Sequence, residues 1–138
     1  MSKIKGRCLC VKVTYESATE PSMTAVCRCI DYQKQTGSAL SIVVAVAQDP
    51  ITFIGLLKPH ETDGLETSQT ANRDFCPGCR SPLPAAPEVM HGTIFLKAGT
   101  LDASSWLQPE LNMWRETALS CVTIDADLAI FERNLPLG

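Results

Sequence analysis

Residues 11–16, Val-Lys-Val-Thr-Tyr-Glu, alternate apolar and polar without a fault, which is the period of a half-buried strand. Residues 40–46, 51–54, 93–96 and 128–131 are short apolar stretches, β-branched or aromatic and flanked by turn residues, and they read as strands too. Turn signals fall at Asp49-Pro50, Gly55, Lys58-Pro59, Asp63-Gly64, Pro77-Gly78, Gly99 and Pro136. Residues 61–72 are polar and predict a loop or exposed hairpin leading into Arg73-Asp74-Phe75, while the Pro/Ala cluster at 82–87 reads as a stiff connector. No segment keeps a 3.6-residue period for three turns. Short helical turns are predicted at 31–36 and from Asp102, whose carboxylate would cap the amides of Ala103 to Ser105. The pattern predicts an all-β fold, mainly antiparallel, with at most short helical turns.

Composition narrows the class. A chain of 138 residues can bury roughly 68% of its unfolded surface around one core, so residues 1–138 are read as one domain. The formal charge, 12 − 15 = −3, argues against a nucleic-acid partner, which calls for a basic face. The longest nearly apolar run, residues 39–47, is half of the roughly 18 residues that a membrane span needs, so no membrane association is predicted. MSKIKGRCLC lacks the apolar region of a secretory signal and no Asn-x-Ser/Thr sequon occurs, which predicts a cytoplasmic protein.

Seven cysteines change the picture, because in a reducing compartment closely spaced thiols more often bind metal than form disulfides. Six fall in three pairs: Cys8 and Cys10, Cys27 and Cys29, Cys76 and Cys79. Structural zinc takes four thiolates tetrahedrally, and Phe75-Cys76-Pro77-Gly78-Cys79 is a suitable turn, Pro77 presetting φ and Gly78 permitting φ > 0. Either Cys-x-Cys could complete the set; spacing alone does not choose. Closing a loop of about 66 residues costs a few kcal/mol. Structural zinc supplies roughly 10 to 16 kcal/mol, so it covers that cost.

Gly6-x-Cys8-x-Cys10 before a strand, Cys27-x-Cys29 running into Gln33-Lys34-Gln35-Thr36-Gly37-Ser38, Arg73-x-Phe75-Cys76-x-x-Cys79-x-Ser81-Pro82-Leu83, Ala98-Gly99-Thr100-Leu101-Asp102 and Phe131-Glu132-Arg133 follow in order over nearly the whole chain. Together they resemble the glutathione-dependent formaldehyde-activating enzyme family, also called centromere-protein-V-like. The resemblance implies an Mss4-like β-tent fold and assigns a structural Zn2+ to Cys8, Cys10, Cys76 and Cys79. It leaves the middle pair for a second site, which in the family reads Cys-His-Cys-x-x-Cys and holds a catalytic zinc open to glutathione or its hydroxymethyl adduct. There the ion would act as Lewis acid and template in carbon–sulfur lyase chemistry.

This chain departs from that pattern: Arg28 stands for the usual His, Tyr32 for the third Cys, and Arg80 for the common Gly after Cys79. A phenol, with an ordinary pKa near 10, is a poor substitute for a thiol near 8.5 toward a borderline-soft ion. The expectation is one structural zinc and a degenerate catalytic site at Cys27, Cys29 and Tyr32, with glutathione or a related thiol adduct as partner. Two readings follow, a lyase relative with weak or absent family activity and a non-catalytic binding or structural module. Cys27 and Cys29 are either thiols activated by Arg28, Lys34 and a predicted helix start, or inert remnants. Tyr32 either donates to a ligand or fills the vacated metal space. Thr36, Gly37 and Ser38 offer amides and hydroxyls for a ligand carboxylate, or form a plain turn. The imidazoles, His60 and His91, are read as non-ligands. Cys121, Trp106 and Trp114 are read as core residues.

Overall fold

A computed structural model of the chain describes residues 4–49, 51–67, 69–88 and 92–135; Pro50, His91 and Pro136 lie outside them. The elements are β1 (Ile4–Arg7), β2 (Thr14–Ser17), β3 (Met23–Cys27), α1 (Ile30–Thr36), β4 (Ser41–Ala47), β5 (Thr52–Ile54), β6 (Glu61–Asp63), β7 (Thr70–Phe75), β8 (Pro82–Ala86), β9 (Thr93–Lys97), β10 (Leu111–Met113) and β11 (Ala129–Ile130). Short 3-10 turns follow β9 and β10. One sheet has the order β1-β2-β5; the other runs β11-β10-β3-β4-β9-β8-β7-β6. Pairing is antiparallel except where β10 meets β3 and β11. The all-β expectation holds, and among the described residues no helix is long and apolar enough to cross a membrane.

The period of two in the large sheet separates two cores. In β4, Val44 and Val46 point to one face while Val43 and Ala45 point to the other, which is why the strand reads as one unbroken apolar run. Ile94 and Leu96 join the first face, and Phe95 the second. The small sheet covers the first face with Ile4 and Tyr15, Val13 joins them from the turn before β2, and the core reaches Cys8 and Cys76. The second face packs Cys27, Cys29, Tyr32, Met113 and Trp114. Each fully buried Val or Leu contributes about 1.5–3 kcal/mol. Thus the two cysteine groups belong to opposite faces of one sheet.

Gly6 shows why the small sheet needs its glycine: a Cβ there would lie 2.2 Å from the Tyr15 ring. The Tyr15 hydroxyl instead passes over it to Thr100, 2.7 Å away.

Several expectations need correction. The strand predicted from Val11 begins at Thr14, because Val11 closes the cysteine turn with φ 69° and is half exposed. Residues 82–87 are not a connector: β8 lies between β7 and β9. Its prolines are tolerated because Pro82 opens the strand and Pro84 falls opposite a register shift between Arg73 and Phe75. No helix starts at Asp102, whose amide bonds to the Lys5 carbonyl at 2.9 Å and whose carboxylate faces Arg7 at 3.8 Å. Cys121 and Trp106 are exposed, on the irregular segments around β10, where an apolar residue has no sheet to pack against.

Candidate metal centre and thiol cleft

Two turns, one after β1 and one after β7, bring four sulfurs together. In the first, the Val11 amide donates to the Cys8 carbonyl (3.2 Å) and the Cys8 amide to the Val13 carbonyl (3.0 Å). In the second, the Arg80 amide donates to the Cys76 carbonyl (2.8 Å) and the Cys76 amide to the Ser81 carbonyl (3.0 Å). The Leu9 amide reaches the Ser81 hydroxyl at 3.1 Å and ties the turns together. The left-handed residue of the second turn is Arg80, φ 70°, and not Gly78 as the Pro-Gly pair suggested. That position favours glycine, which gives the Gly-to-Arg departure a physical meaning.

All four sulfurs, of Cys8, Cys10, Cys76 and Cys79, lie within 4.8 Å of one another. Cys8 and Cys10 sulfurs are 3.6 Å apart, and those of Cys10 and Cys76 3.7 Å. Tetrahedral Zn–S bonds of about 2.3 Å place sulfurs about 3.8 Å apart, so the cluster has the size of a metal site. The Ser81 hydroxyl and amide hold the Cys79 thiol down at about 5. The Lys12 amide favours the Cys10 thiolate, yet desolvation and the neighbouring sulfurs push Cys10 up to about 11. Four thiols this close resist joint ionisation, and a divalent cation would relieve the conflict. The donor set therefore fits zinc.

On the other face, Cys27 ends β3 and Cys29 caps α1, accepting the Tyr32 amide at 3.4 Å. Both are 3% exposed and Tyr32 is 4% exposed. The Lys97 ammonium sits 3.1 Å from the centroid of the Tyr32 ring and also donates to the Ser41 hydroxyl at 3.2 Å; the Arg73 guanidinium is 5.2 Å from the ring. Arg73 is held by Asp31 (3.3 Å) and the Thr62 hydroxyl (2.6 Å), and its Nε has no hydrogen-bond partner among the described residues. Burial holds Lys97 down to about 7, against the attraction of the two thiols. The hydrogen bond from Cys27, aided by the Tyr32 amide and Arg73, holds Cys29 at about 7, while the same bond and burial raise Cys27 well above its ordinary value. Burial likewise raises Tyr32, so its phenol stays protonated.

Cys27, Cys29, Tyr32 and Arg73 border a small cavity of about 40 Å³. Glu88 latches its rim, accepting from the Thr67 amide and hydroxyl (both 2.7 Å) and from Asn134 (2.7 Å), whose side-chain oxygen accepts from the Trp114 indole at 2.9 Å. Arg73 also lines an outer cleft of about 320 Å³ with Lys34, His60 and Phe75.

Cys27, Cys29 and Tyr32 thus come together, as do Cys8, Cys10, Cys76 and Cys79 in their own group. Thr36, Gly37 and Ser38 stand apart at the exposed end of α1. There the Gly37 amide donates to the Gln33 carbonyl (2.8 Å) and the Ser38 amide to the Thr36 hydroxyl (3.1 Å), so both amides serve the helix end. Arg28, beside the thiols in sequence, is buried and donates to Asn112 at 2.6 Å. Trp114 is both a core residue and part of the cavity wall. Sequence reading missed Lys97, Arg73 and Glu88. Strand parity carried the signal for two of them, since Lys97 shares a face with Phe95, and Arg73 with Ala71.

Among family profiles, the one described as "Glutathione-dependent formaldehyde-activating enzyme" matches residues 3–117. A search of curated proteins finds no match.

Proposed function

Because the chain belongs to the glutathione-dependent formaldehyde-activating enzyme family, we propose that it keeps the family's structural zinc but uses the second site as a metal-free binding cleft, without zinc-dependent lyase turnover. Cys8, Cys10, Cys76 and Cys79 would hold the one ion, which fixes two turns and closes the long loop between them.

The observation that carries this reading is the Lys97 ammonium on the buried Tyr32 ring. A catalytic zinc needs three protein ligands and one open position. Here the third ligand is a protonated phenol, and a lysine and an arginine already supply positive charge beside the two thiols. A second cation would meet Arg73 and the charged form of Lys97 in a poorly screened interior, so the residues present do not fit the ion. The cavity is too small for a tripeptide thiol. A glutathione-type ligand would lie in the outer cleft, its carboxylates facing Lys34 and Arg73. The Asp31 carboxylate on the same wall keeps that attraction weak.

The test is a formaldehyde and glutathione consumption assay with and without added zinc, beside a titration of glutathione. The proposal expects weak binding and no acceleration over the spontaneous rate. Zinc-dependent turnover abolished by Cys27→Ala would overturn it and restore the lyase.

A further inference from the structure

Two buried thiols border a small cavity, and the binding role uses neither of them. We infer that Cys27 and Cys29 form a redox dithiol that reduces a small peroxide, with Cys29 attacking and Cys27 resolving. The inference rests on the metal-free reading of this cleft.

Three observations support it. The thiols are two residues apart and line the same cavity, which puts a resolving sulfur near the attacking one. Their surroundings are cationic, with Lys97 and Arg73 on the same Tyr32 ring and both acting on Cys29 or its partner through space, and cations favour a thiolate. The cavity of about 40 Å³ has room for a few water-sized groups and so for hydrogen peroxide, while bulky disulfides are kept out. The low pKa of Cys29 agrees with its attacking role.

The steps balance. The Cys29 thiolate attacks one peroxide oxygen; the S–O bond forms as the O–O bond breaks. The departing hydroxide takes a proton from solvent and leaves as water, and Cys29 is now a sulfenic acid. Cys27 then attacks the Cys29 sulfur; the S–S bond forms, the S–O bond breaks, and the Cys27 proton leaves with the hydroxyl as a second water. Peroxide is reduced to two waters and the dithiol oxidised to a disulfide. Two equivalents of a small external thiol return it.

The experiment treats the zinc-loaded protein, in a Cys121→Ser background, with hydrogen peroxide. Zinc is counted first, the rate is followed, and the modified cysteines are then mapped by peptide mass spectrometry. The expected product is a Cys27–Cys29 disulfide formed without zinc release. Cys27→Ser should stop at a sulfenic acid on Cys29 that dimedone traps. In Cys29→Ser the serine still caps α1, so the fold is kept and the fast phase is lost. Oxidation appearing first on Cys8, Cys10, Cys76 or Cys79 with zinc loss, while one zinc per chain was present at the start, overturns the inference alone. Two zincs per chain with Cys27 and Cys29 protected overturn the metal-free reading and this inference with it.

Discussion

The Tyr32 ring carries the Lys97 ammonium on its face and, on the proposed reading, stands where the family places a thiolate, so both residues would control whether metal can enter. Tyr32→Cys alone supplies the ligand but keeps the ammonium. Tyr32→Cys with Lys97→Met removes the like charge as well and leaves a three-thiolate site with one open position. The double variant is expected to hold a second zinc through dialysis against a weak chelator, and the single variant to lose it. Metal content by mass spectrometry decides; equal retention by both would show that Lys97 is not the barrier. Arg80 offers an independent check on the first turn pair. Its φ of 70° strains any residue with a Cβ, so Arg80→Gly should stabilise the fold by roughly 1 kcal/mol in urea unfolding.

At the scale of elements, β4 and β9 divide the cores, and the two faces should respond differently to truncation. Leu96 is fully buried in the core that backs the cysteine cluster, and Leu96→Ala is expected to cost about 2–5 kcal/mol by urea unfolding. The loop between β6 and β7 is held instead by one carboxylate. Burial disfavours the charged form of Glu88, but donors from Thr67, Glu66 and Asn134 outweigh it and keep the pKa below its ordinary 4.5. A lowered carboxylate stabilises fully above its unfolded value, and that stabilisation is lost as pH falls through the folded one. The wild-type chain should therefore lose stability relative to Glu88→Gln as pH drops below about 4.5. Parallel pH profiles of the two in urea would contradict the latch.

For the whole molecule, the hydrophobic pattern was enough to predict the β class, and the chain order of motifs pointed to the cysteine cluster and to the clustering of Cys27, Cys29 and Tyr32. Strands 40–46, 51–54 and 93–96 were legible because alternation and β-branching are local signals. β8 was not, because its prolines are permitted by an irregularity in its pairing with β7, and no local pattern shows how a strand pairs. Lys97 was hidden for a similar reason: a lysine at the end of an apolar strand looks like an edge charge until α1 is packed against it. Glu88 gains its meaning from amides some twenty residues away.

Zinc per chain, measured on protein purified without chelator and again on Cys76→Ser, tests the central claim most directly. The account predicts one zinc with four sulfur ligands at about 2.3 Å by X-ray absorption, lost together with the fold in Cys76→Ser. Two zincs in the unmodified chain, or one that survives in a normally folded Cys76→Ser variant, would contradict it.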